Sequence, residues 1–573
     1  MSSLPLSPGG TDRASRRTSL ASTLFLTLVS VPLFFVALGG HGLSDPDEPY
    51  YAVPALEMLR GGTWLTTTLR GQPWFDKPIL FYWIVLSAYR LFGVSEMAAR
   101  LGSACAALAG LFAVRAVGRR IGFDERTSFA ASLILATSLE YAFVARAAVT
   151  DMTLTLTLLL AMLAGASYLS SGSRLAASLL GASLGLATLT KGPVGLILPV
   201  VALGGYALLA RRSEILKPGA LAACAAGLLL TAGPWYGFMA SRHRDLLIQT
   251  FIGEGNFGRF LHPEHPSSPF YYLLTLAAGL LPWSGALPFA LVGPARPSSW
   301  RAETGAGRPA GPLYALCWFA APILVFSLSA SKLPTYILPA FPAAALLLGR
   351  YWSSRLGEPA PHAADRLPFR PGHLAPLAVT FMVVMAGGIA VIGALRDRGV
   401  DQAVTGSLLV IALFLAGLAL AAPAVRRGSL FGLLAAHAGV AVLGFLTLVL
   451  WAGPRFEPYD SIRPLVRRLE SLGSDQQITG AYHVWDLSPD FYLGRTLEVI
   501  TERPLLLRRV AASPGGVWIV RTRDLAALAS DPDLTSATLY QGPRRCALRL
   551  APAVPIPEPV VPKAVSAAPK PVQ

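Results

Sequence analysis

The sequence predicts an α-helical polytopic membrane protein, and three observations carry that reading. Of the 573 residues, 53% are hydrophobic and only 14% are charged. Apolar runs near the ~20 residues needed to cross a bilayer recur along the chain. Arginines sit in short loops between these runs, so the net charge of +16 reads as topology rather than as a nucleic-acid surface. The four cysteines follow no metal spacing, and there is no Gly-rich nucleotide loop. A zinc–thiolate site and a soluble nucleotide-sugar site therefore find no support.

Residues 1–20 are polar and basic, with Arg13, Arg16 and Arg17. The apolar run Leu20–Leu38 follows. It is longer than a signal-peptide core and more spans come after it, so it reads as a retained first helix with a cytoplasmic N-terminus. Next comes Asp45–Lys77, holding Asp45, Asp47, Glu48, Glu57, Asp76 and Lys77. Acids this dense beside a membrane span are costly unless they face water, a metal or a polar substrate. Pro49 fits the first turn of a helix that Gly61-Gly62 ends, while Pro54 is expected to kink or shorten it. Trp64–Leu69 reads as extended, and Arg70-Gly71-Gln72-Pro73 as a turn. Ile79–Phe92 is apolar but too short to span comfortably, and reads as an interfacial or re-entrant helix.

Further candidate span cores lie at 98–117, 128–145, 152–169, 175–190, 193–210, 219–239, 270–293, 311–329, 335–350, 375–395, 404–423 and 429–451. The total is about 13 spans, which puts the two termini on opposite sides. Basic clusters such as Arg119-Arg120, Arg211-Arg212 and Arg426-Arg427 all fall on the side of the basic N-terminus. The unusual polar motifs then share the outer face. These are Asp45–Lys77, Arg146–Asp151, Lys191-Gly192-Pro193, the 240–270 loop and Ser331–Tyr336. From about Gly453 the composition changes. Strands at Gln477–His483, Leu497–Thr501 and Gly516–Arg521 alternate with helices at Arg503–Ala512 and Arg523–Ala529, predicting a small α/β domain. Residues 552–573 read as a disordered tail.

Each polar motif has two readings. Asp47 and Glu48 are helix caps or working carboxylates. Asp76-Lys77 is a surface pair, or a carboxylate beside an ammonium that meets a lipid phosphate. Asp151 is a cap in competition with Thr150, or a cavity acid. Lys191 is a snorkelling lysine, but on the side where these are uncommon. The loop GEGNFGRFLHPEHPSSPFYY supplies Glu254, Asn256, Arg259, His262, Glu264 and His265, suited to a phosphate or a divalent metal. Lys332 and Tyr336 add an ammonium and a phenol at the outer mouth. Together these make an outward-facing site for a phosphate-bearing lipid.

Nine motifs carry a family resemblance. They are DPDEPYYA, GQPWFDKPILFYW, FGVSEMAARL, ARAAVTDM, TLTKGPVG, GPWY, the NFGRF…H…PFYY loop, LLPWSGALP and SASKLPTYILP, in order over about 45–340. The chain resembles the bacterial aminoarabinose transferases and related polyprenyl-phosphate-dependent membrane glycosyltransferases, and more distantly the protein O-mannosyltransferases. The resemblance implies a C-type glycosyltransferase fold with exported juxtamembrane helices. It implies a sugar moved from a polyprenyl (undecaprenyl) phosphate donor to a lipid or other envelope acceptor, outside the bacterial cytoplasmic (inner) membrane. Membrane lipids are partners and nucleic acid is not. Carried over by motif, Asp47, Glu48 and Asp151 are the catalytic candidates. Lys77, Lys191, Arg259, Lys332, Tyr336 and Tyr50 are the substrate and phosphate candidates. Asp76 and His265 match metal positions, for Zn or for Mg/Mn. Tyr50 departs from the family, standing where the aminoarabinose transferases often carry arginine. Asp76 stands where glutamate is common.

On this reading residues 1–20 form a cytoplasmic tail and 21–452 the membrane transferase domain, with 41–97 an exported juxtamembrane loop. Residues 453–551 form an exported (periplasmic) α/β domain. The alternative is a polyprenyl-linked lipid flippase, which predicts charge at the bilayer midplane and repeated halves.

Overall fold

The computed structural model describes residues 8–249, 270–295, 308–356, 374–396 and 401–553, with positions 253, 258 and 268. It divides into two compact units, Met1–Phe456 and Glu457–Gln573.

The first unit is built almost wholly of helices. In chain order its first ten are α1 (Pro8–Phe35), α2 (Pro49–Gly61), α3 (Leu80–Phe92), α4 (Glu96–Arg120), α5 (Glu125–Ala136), α6 (Leu139–Val144), α7 (Thr150–Ser171), α8 (Arg174–Lys191), α9 (Val194–Ala210) and α10 (Pro218–Arg242). Gly311–Ser327, Phe341–Arg355, Ala375–Arg396, Asp401–Arg426 and Leu430–Thr447 follow. Among the described residues, four helices are long and apolar enough to cross a membrane: Glu96–Arg120, Thr150–Ser171, Pro218–Arg242 and Leu430–Asp460. Shorter apolar helices include Leu80–Phe92, Val194–Ala210 and Gly311–Ser327.

Local sequence explains where several helices start and how they pack. Ser95 caps α4, its side chain accepting from Ala98 N, and Arg119 and Arg120 close the last turn. Helices α8 and α10 approach at glycines. A Cβ on Gly181 would lie 1.8 Å from Cys224 O, and one on Gly227 would lie 2.1 Å from Ser178 O. No larger residue fits, which is the small-residue packing expected between apolar helices. The pair α7 and α8 runs out and back, so the start of one lies beside the end of the other.

Two predicted spans are broken. The stretch 128–145 is α5 and α6, interrupted at Thr137-Ser138, and 270–293 is interrupted between Gly279 and Ser284. The two breaks meet. Leu139 N donates to Leu281 O at 3.0 Å, and Trp283 Nε1 donates to Thr137 Oγ1 at 2.9 Å. Irregular backbone is tolerated among apolar helices only where protein satisfies it.

The region from α2 to α3 is short-range in origin. Pro49 opens α2 and Gly62, at φ 64°, ends it. Pro54 does not shorten the helix as expected. Its ring is buried with Ala52, Val53, Ala55 and Leu56, and that packing outweighs the one donor lost. β1 (Thr68–Leu69) pairs antiparallel with β2 (Gln72–Pro73) across Arg70 and Gly71. Both turn residues have positive φ, as a two-residue hairpin turn requires. Glu57 clasps this turn, its Oε1 accepting from Arg70 N at 2.6 Å and its Oε2 from Gly71 N at 3.2 Å.

One buried ion pair ties these parts together. Arg100 of α4 and Glu48 before α2 are 5% and 3% exposed. Arg100 Nε donates to Glu48 Oε1 at 2.7 Å, and Nη2 donates to Oε2 at 2.5 Å. The remaining guanidinium N–H groups reach Leu38 O at 3.0 Å, His41 O at 2.8 Å and Gly42 O at 2.8 Å. Glu48 also accepts from Ser44 N at 2.8 Å and Ala148 N at 2.7 Å. Three separate segments therefore depend on two side chains. Burial alone would raise the Glu48 carboxyl. The charge and hydrogen bonds of Arg100, with the two backbone N–H groups, overcome that and hold it below 4.5.

The second unit is a five-stranded mixed sheet ordered β4-β3-β5-β7-β6. The strands are β3 (Ile478–Tyr482), β4 (Val499–Ile500), β5 (Gly516–Arg521), β6 (Leu534–Gln541) and β7 (Arg545–Pro552). β3 runs parallel to β4 and β5, and β7 runs antiparallel to β5 and β6. Alternate residues of β5 feed two cores. Val517 and Ile519 pack with Leu465, Val466 and Leu469, whereas Trp518 and Val520 pack with Leu506, Val510 and Leu528. Cys546 is buried with a free thiol.

Removing one partner of a buried ion pair strands the other, so Glu48→Gln is expected to destabilise by roughly 3–5 kcal/mol. Thermal unfolding in detergent checks this, and a melting temperature unchanged to within about 1 °C would contradict it. The depressed folded-state pKa also fixes a sign. Glu48 contributes its stability above its unfolded value near 4.5 and loses it as pH falls through the lower folded value. The gap between wild type and Glu48→Gln is thus expected to be constant near neutral pH and to narrow as pH falls below 4.5 toward the lower folded-state value.

Candidate active site

Segments far apart in sequence converge on one cavity of about 370 Å³. The turn into α2 brings Asp47, Tyr50 and Tyr51, and the chain after β2 brings Trp74, Asp76 and Lys77. The start of α7 brings Val149 and Asp151, the end of α8 brings Lys191, and the 3-10 helix Pro334–Ala340 brings Thr335 and Tyr336, with Leu333 just before it.

The charges pair within this wall. Lys191 Nζ donates to Asp151 Oδ1 at 2.7 Å and lies 5.0 Å from the centre of the Tyr336 ring. Asp151 sits in the first turn of α7 and Lys191 in the last turn of α8, so the out-and-back helix pair sets this contact. Neither Asp151 nor Thr150 caps the helix, because Val149 occupies that position. Lys77 Nζ donates to Asp76 Oδ2 at 2.7 Å with both side chains mostly buried. Asp47 is exposed at the turn. Burial, then the nearby charges of Asp76 and Asp151, push the Tyr51 phenol well above 10, so it keeps its proton.

A second cavity, of about 550 Å³, shares Asp47, Val149 and Thr335 with the first. Its wall is mainly apolar, with Phe143, Phe445, Leu448 and Val449 beside Arg146 and His41. Arg146 Nη1 donates to Leu33 O at 3.2 Å and Nη2 to Val36 O at 2.8 Å, at the end of α1. Asp47 therefore stands between a charged chamber and an apolar one.

Of the residues singled out from the sequence, Asp47, Tyr50, Asp76, Lys77, Asp151, Lys191 and Tyr336 share the charged cavity. Glu48 lines the apolar cavity rather than this one, which sets it apart from Asp47 and Asp151. Its carboxylate is committed to Arg100 and two backbone donors, and it makes no side-chain cap on α2. Lys332 Nζ donates to Ser329 O at 2.8 Å, outside the cavity wall. Arg259 and His265 lie outside the described residues. Sequence reasoning missed Tyr51, Trp74 and Thr335 in the wall and Arg100 behind it. Arg100 was detectable as an arginine inside an apolar helix, which must find a buried acid.

A metal at Asp76 and His265 does not follow from the residues described. Among them no group of three His, Cys, Asp or Glu side chains could hold an ion. Asp76 itself accepts from Lys77, and one carboxylate paired to an ammonium does not make a metal site.

Residues 76–236 match the family model described as dolichyl-phosphate-mannose-protein mannosyltransferase. The chain is 35% identical over 346 residues to undecaprenyl phosphate-alpha-4-amino-4-deoxy-L-arabinose arabinosyl transferase of Pseudomonas aeruginosa, covering 59% of this chain and 61% of that one. It is 34% identical over 372 residues to the protein of the same name in Pseudomonas paraeruginosa, covering 64% and 65%. The match thus spans a little under two thirds of the length of these curated relatives. The crystal structure of ArnT from Cupriavidus metallidurans bound to undecaprenyl phosphate superposes with a TM-score of 0.74 at 25% identity, covering 92% of this chain and 97% of that one. In sequence and in fold, the chain resembles the bacterial aminoarabinose transferases, among the polyprenyl-phosphate-dependent membrane glycosyltransferases.

Proposed function

We propose that this chain is a membrane glycosyltransferase. It moves a sugar from undecaprenyl phosphate to a lipid or other envelope acceptor on the outer face of the bacterial cytoplasmic membrane. The observation that carries the reading is the charged cavity, where Asp47, Asp76, Lys77, Asp151, Lys191 and Tyr336 converge from distant segments. The arabinosyl transferases similar to it, and the ArnT structure holding undecaprenyl phosphate, supply the donor class. These relatives give no support to the flippase alternative.

The chemistry follows from the charges. Cleavage of the bond from the anomeric carbon to the phosphate oxygen leaves an undecaprenyl phosphate dianion. Lys77 and Lys191 stabilise that charge as it develops. Asp151 holds the Lys191 ammonium in place, and Asp76 holds that of Lys77. The acceptor oxygen bonds to the anomeric carbon through an oxocarbenium-like state, and its proton passes to Asp47. Because Asp47 borders both cavities, an acceptor in the apolar chamber would approach opposite the leaving phosphate. That arrangement inverts the anomeric carbon, and the apolar wall favours a lipid acceptor. Tyr336, against Lys191, extends the phosphate site, and Arg259 and Lys332 are further phosphate candidates by motif alone.

We assign residues 21–452 to a C-type glycosyltransferase membrane domain of about 13 spans, with 41–97 exported. The basic N-terminus is cytoplasmic by the positive-inside rule, and the α/β domain of 453–551 is exported.

The test is sugar transfer in lipid nanodiscs, offering polyprenyl-phosphate sugars with total envelope lipid. Asp47→Asn is expected to lower transfer by about 10²–10⁴-fold while still binding undecaprenyl phosphate. Transfer retained in that variant would contradict the role of Asp47. Lys77→Met and Lys191→Met are each expected to weaken undecaprenyl phosphate binding by about tenfold or more, at 1.5–3 kcal/mol per charge-assisted hydrogen bond. Native mass spectrometry of the lipid-bound protein reads this, and unchanged binding in both variants would move the phosphate elsewhere.

A further inference from the structure

We propose that Tyr50 and Trp74 form the sugar subsite, an aromatic shelf that holds the C–H face of the transferred ring. This rests on the transferase reading and adds what that reading leaves open, the part of the cavity that grips an uncharged ring. It also removes Tyr50 from the phosphate ligands.

The two rings lie 6.2 Å apart, inclined by 33°, and both line the charged cavity. Tyr50 is 38% exposed, whereas Tyr82 and Tyr89 on neighbouring α3 are 0% and 2% exposed. Its ring is thus presented to the cavity rather than spent on the core. The shelf stands on a stiff support. Trp74 N donates to Thr67 O at 2.9 Å, Thr67 Oγ1 donates to Trp74 O, and Glu57 clasps the hairpin turn between them.

The chemistry separates the jobs within one cavity. A phenol offers no positive charge to a phosphate dianion, and Lys77 and Lys191 already do. A pyranose has hydroxyls around its edge and C–H groups on its faces. Aromatic rings meet such a face through dispersion and weak C–H contacts, while ammonium groups cannot. The ligand class is a pyranose with an unbroken C–H face, carried on a lipid phosphate. The bland alternative is that Tyr50 and Trp74 are anchors at the membrane interface, where such residues are common.

The test measures affinity of the full chain in nanodiscs for undecaprenyl phosphate alone, and for undecaprenyl phosphate bearing glucose, galactose or 4-amino-4-deoxyarabinose. At least one sugar-bearing lipid is expected to bind wild type about 3–10-fold tighter than the bare lipid. Tyr50→Ala is expected to erase that increment and leave the bare lipid within about twofold, while Tyr50→Phe keeps it. Trp74→Leu is expected to act like Tyr50→Ala, and undiminished bare-lipid binding certifies the fold of each variant. The proposal is overturned if no sugar adds affinity in wild type. It is equally overturned if Tyr50→Ala leaves the increment intact, or weakens bare and sugar-bearing lipid alike. If wild type binds none of the four lipids, the transferase reading falls and the shelf falls with it.

Discussion

The structure around the cavity depends on the ion pair between Arg100 and Glu48. All of the guanidinium N–H groups and both carboxylate oxygens are used, and the partners come from three places. Residues 38–48 are pulled onto α4 by the arginine. The Ala148 N–H fastens the turn into α7 to the same carboxylate. Asp47 is adjacent to Glu48 and Asp151 is three residues beyond Ala148, so one buried pair sets the spacing of two cavity acids. A buried pair is not by itself a large net gain in stability, because desolvation offsets much of the attraction. Its value here is geometric, and it allows exposed Asp47 to sit at a defined place beside an apolar wall.

The second constraint is the pairing of each cavity ammonium with a carboxylate. Lys77 with Asp76, and Lys191 with Asp151, keep the two cations extended toward one chamber without leaving either charge uncompensated. A phosphate entering the cavity meets ammonium groups already oriented, so little reorganisation is needed as negative charge develops. The aromatic groups complete the wall. Tyr336 lies against Lys191, and Tyr50 lies against Trp74. Cations and rings on one surface suit a ligand with a charged group at one end and a ring at the other.

Much of this was legible in the sequence, for identifiable reasons. Helix positions follow from apolar runs bounded by Gly, Pro and charge, and α4, α7, α8, α9 and α10 each overlap a predicted core. Gly71 after Arg70 marked the hairpin turn. The strands β3, β4 and β5 fall on segments rich in β-branched and aromatic residues. What the sequence could not show was tertiary. The breaks at Thr137-Ser138 and near Trp283 exist because each satisfies the other, and neither is visible in hydropathy. β6 was missed because most of its side chains are exposed, and β7 because Arg545 and Arg549 interrupt its apolar residues. Within the site, motif order located Asp47, Asp76, Lys77, Asp151, Lys191 and Tyr336. It could not tell Glu48 from Asp47, since adjacent acids differ only in what lies beside them. Arg100, 52 residues further on, made that difference.

The most direct measurement is a cryo-electron microscopy structure of the full chain in nanodiscs with undecaprenyl phosphate. Phosphate density is expected in the charged cavity, with the Nζ atoms of Lys77 and Lys191 both within about 3 Å of its oxygens and Asp47 facing it across open space. Phosphate density lodged outside that cavity, with Lys77 and Lys191 still paired to Asp76 and Asp151, would contradict this assignment of the phosphate site.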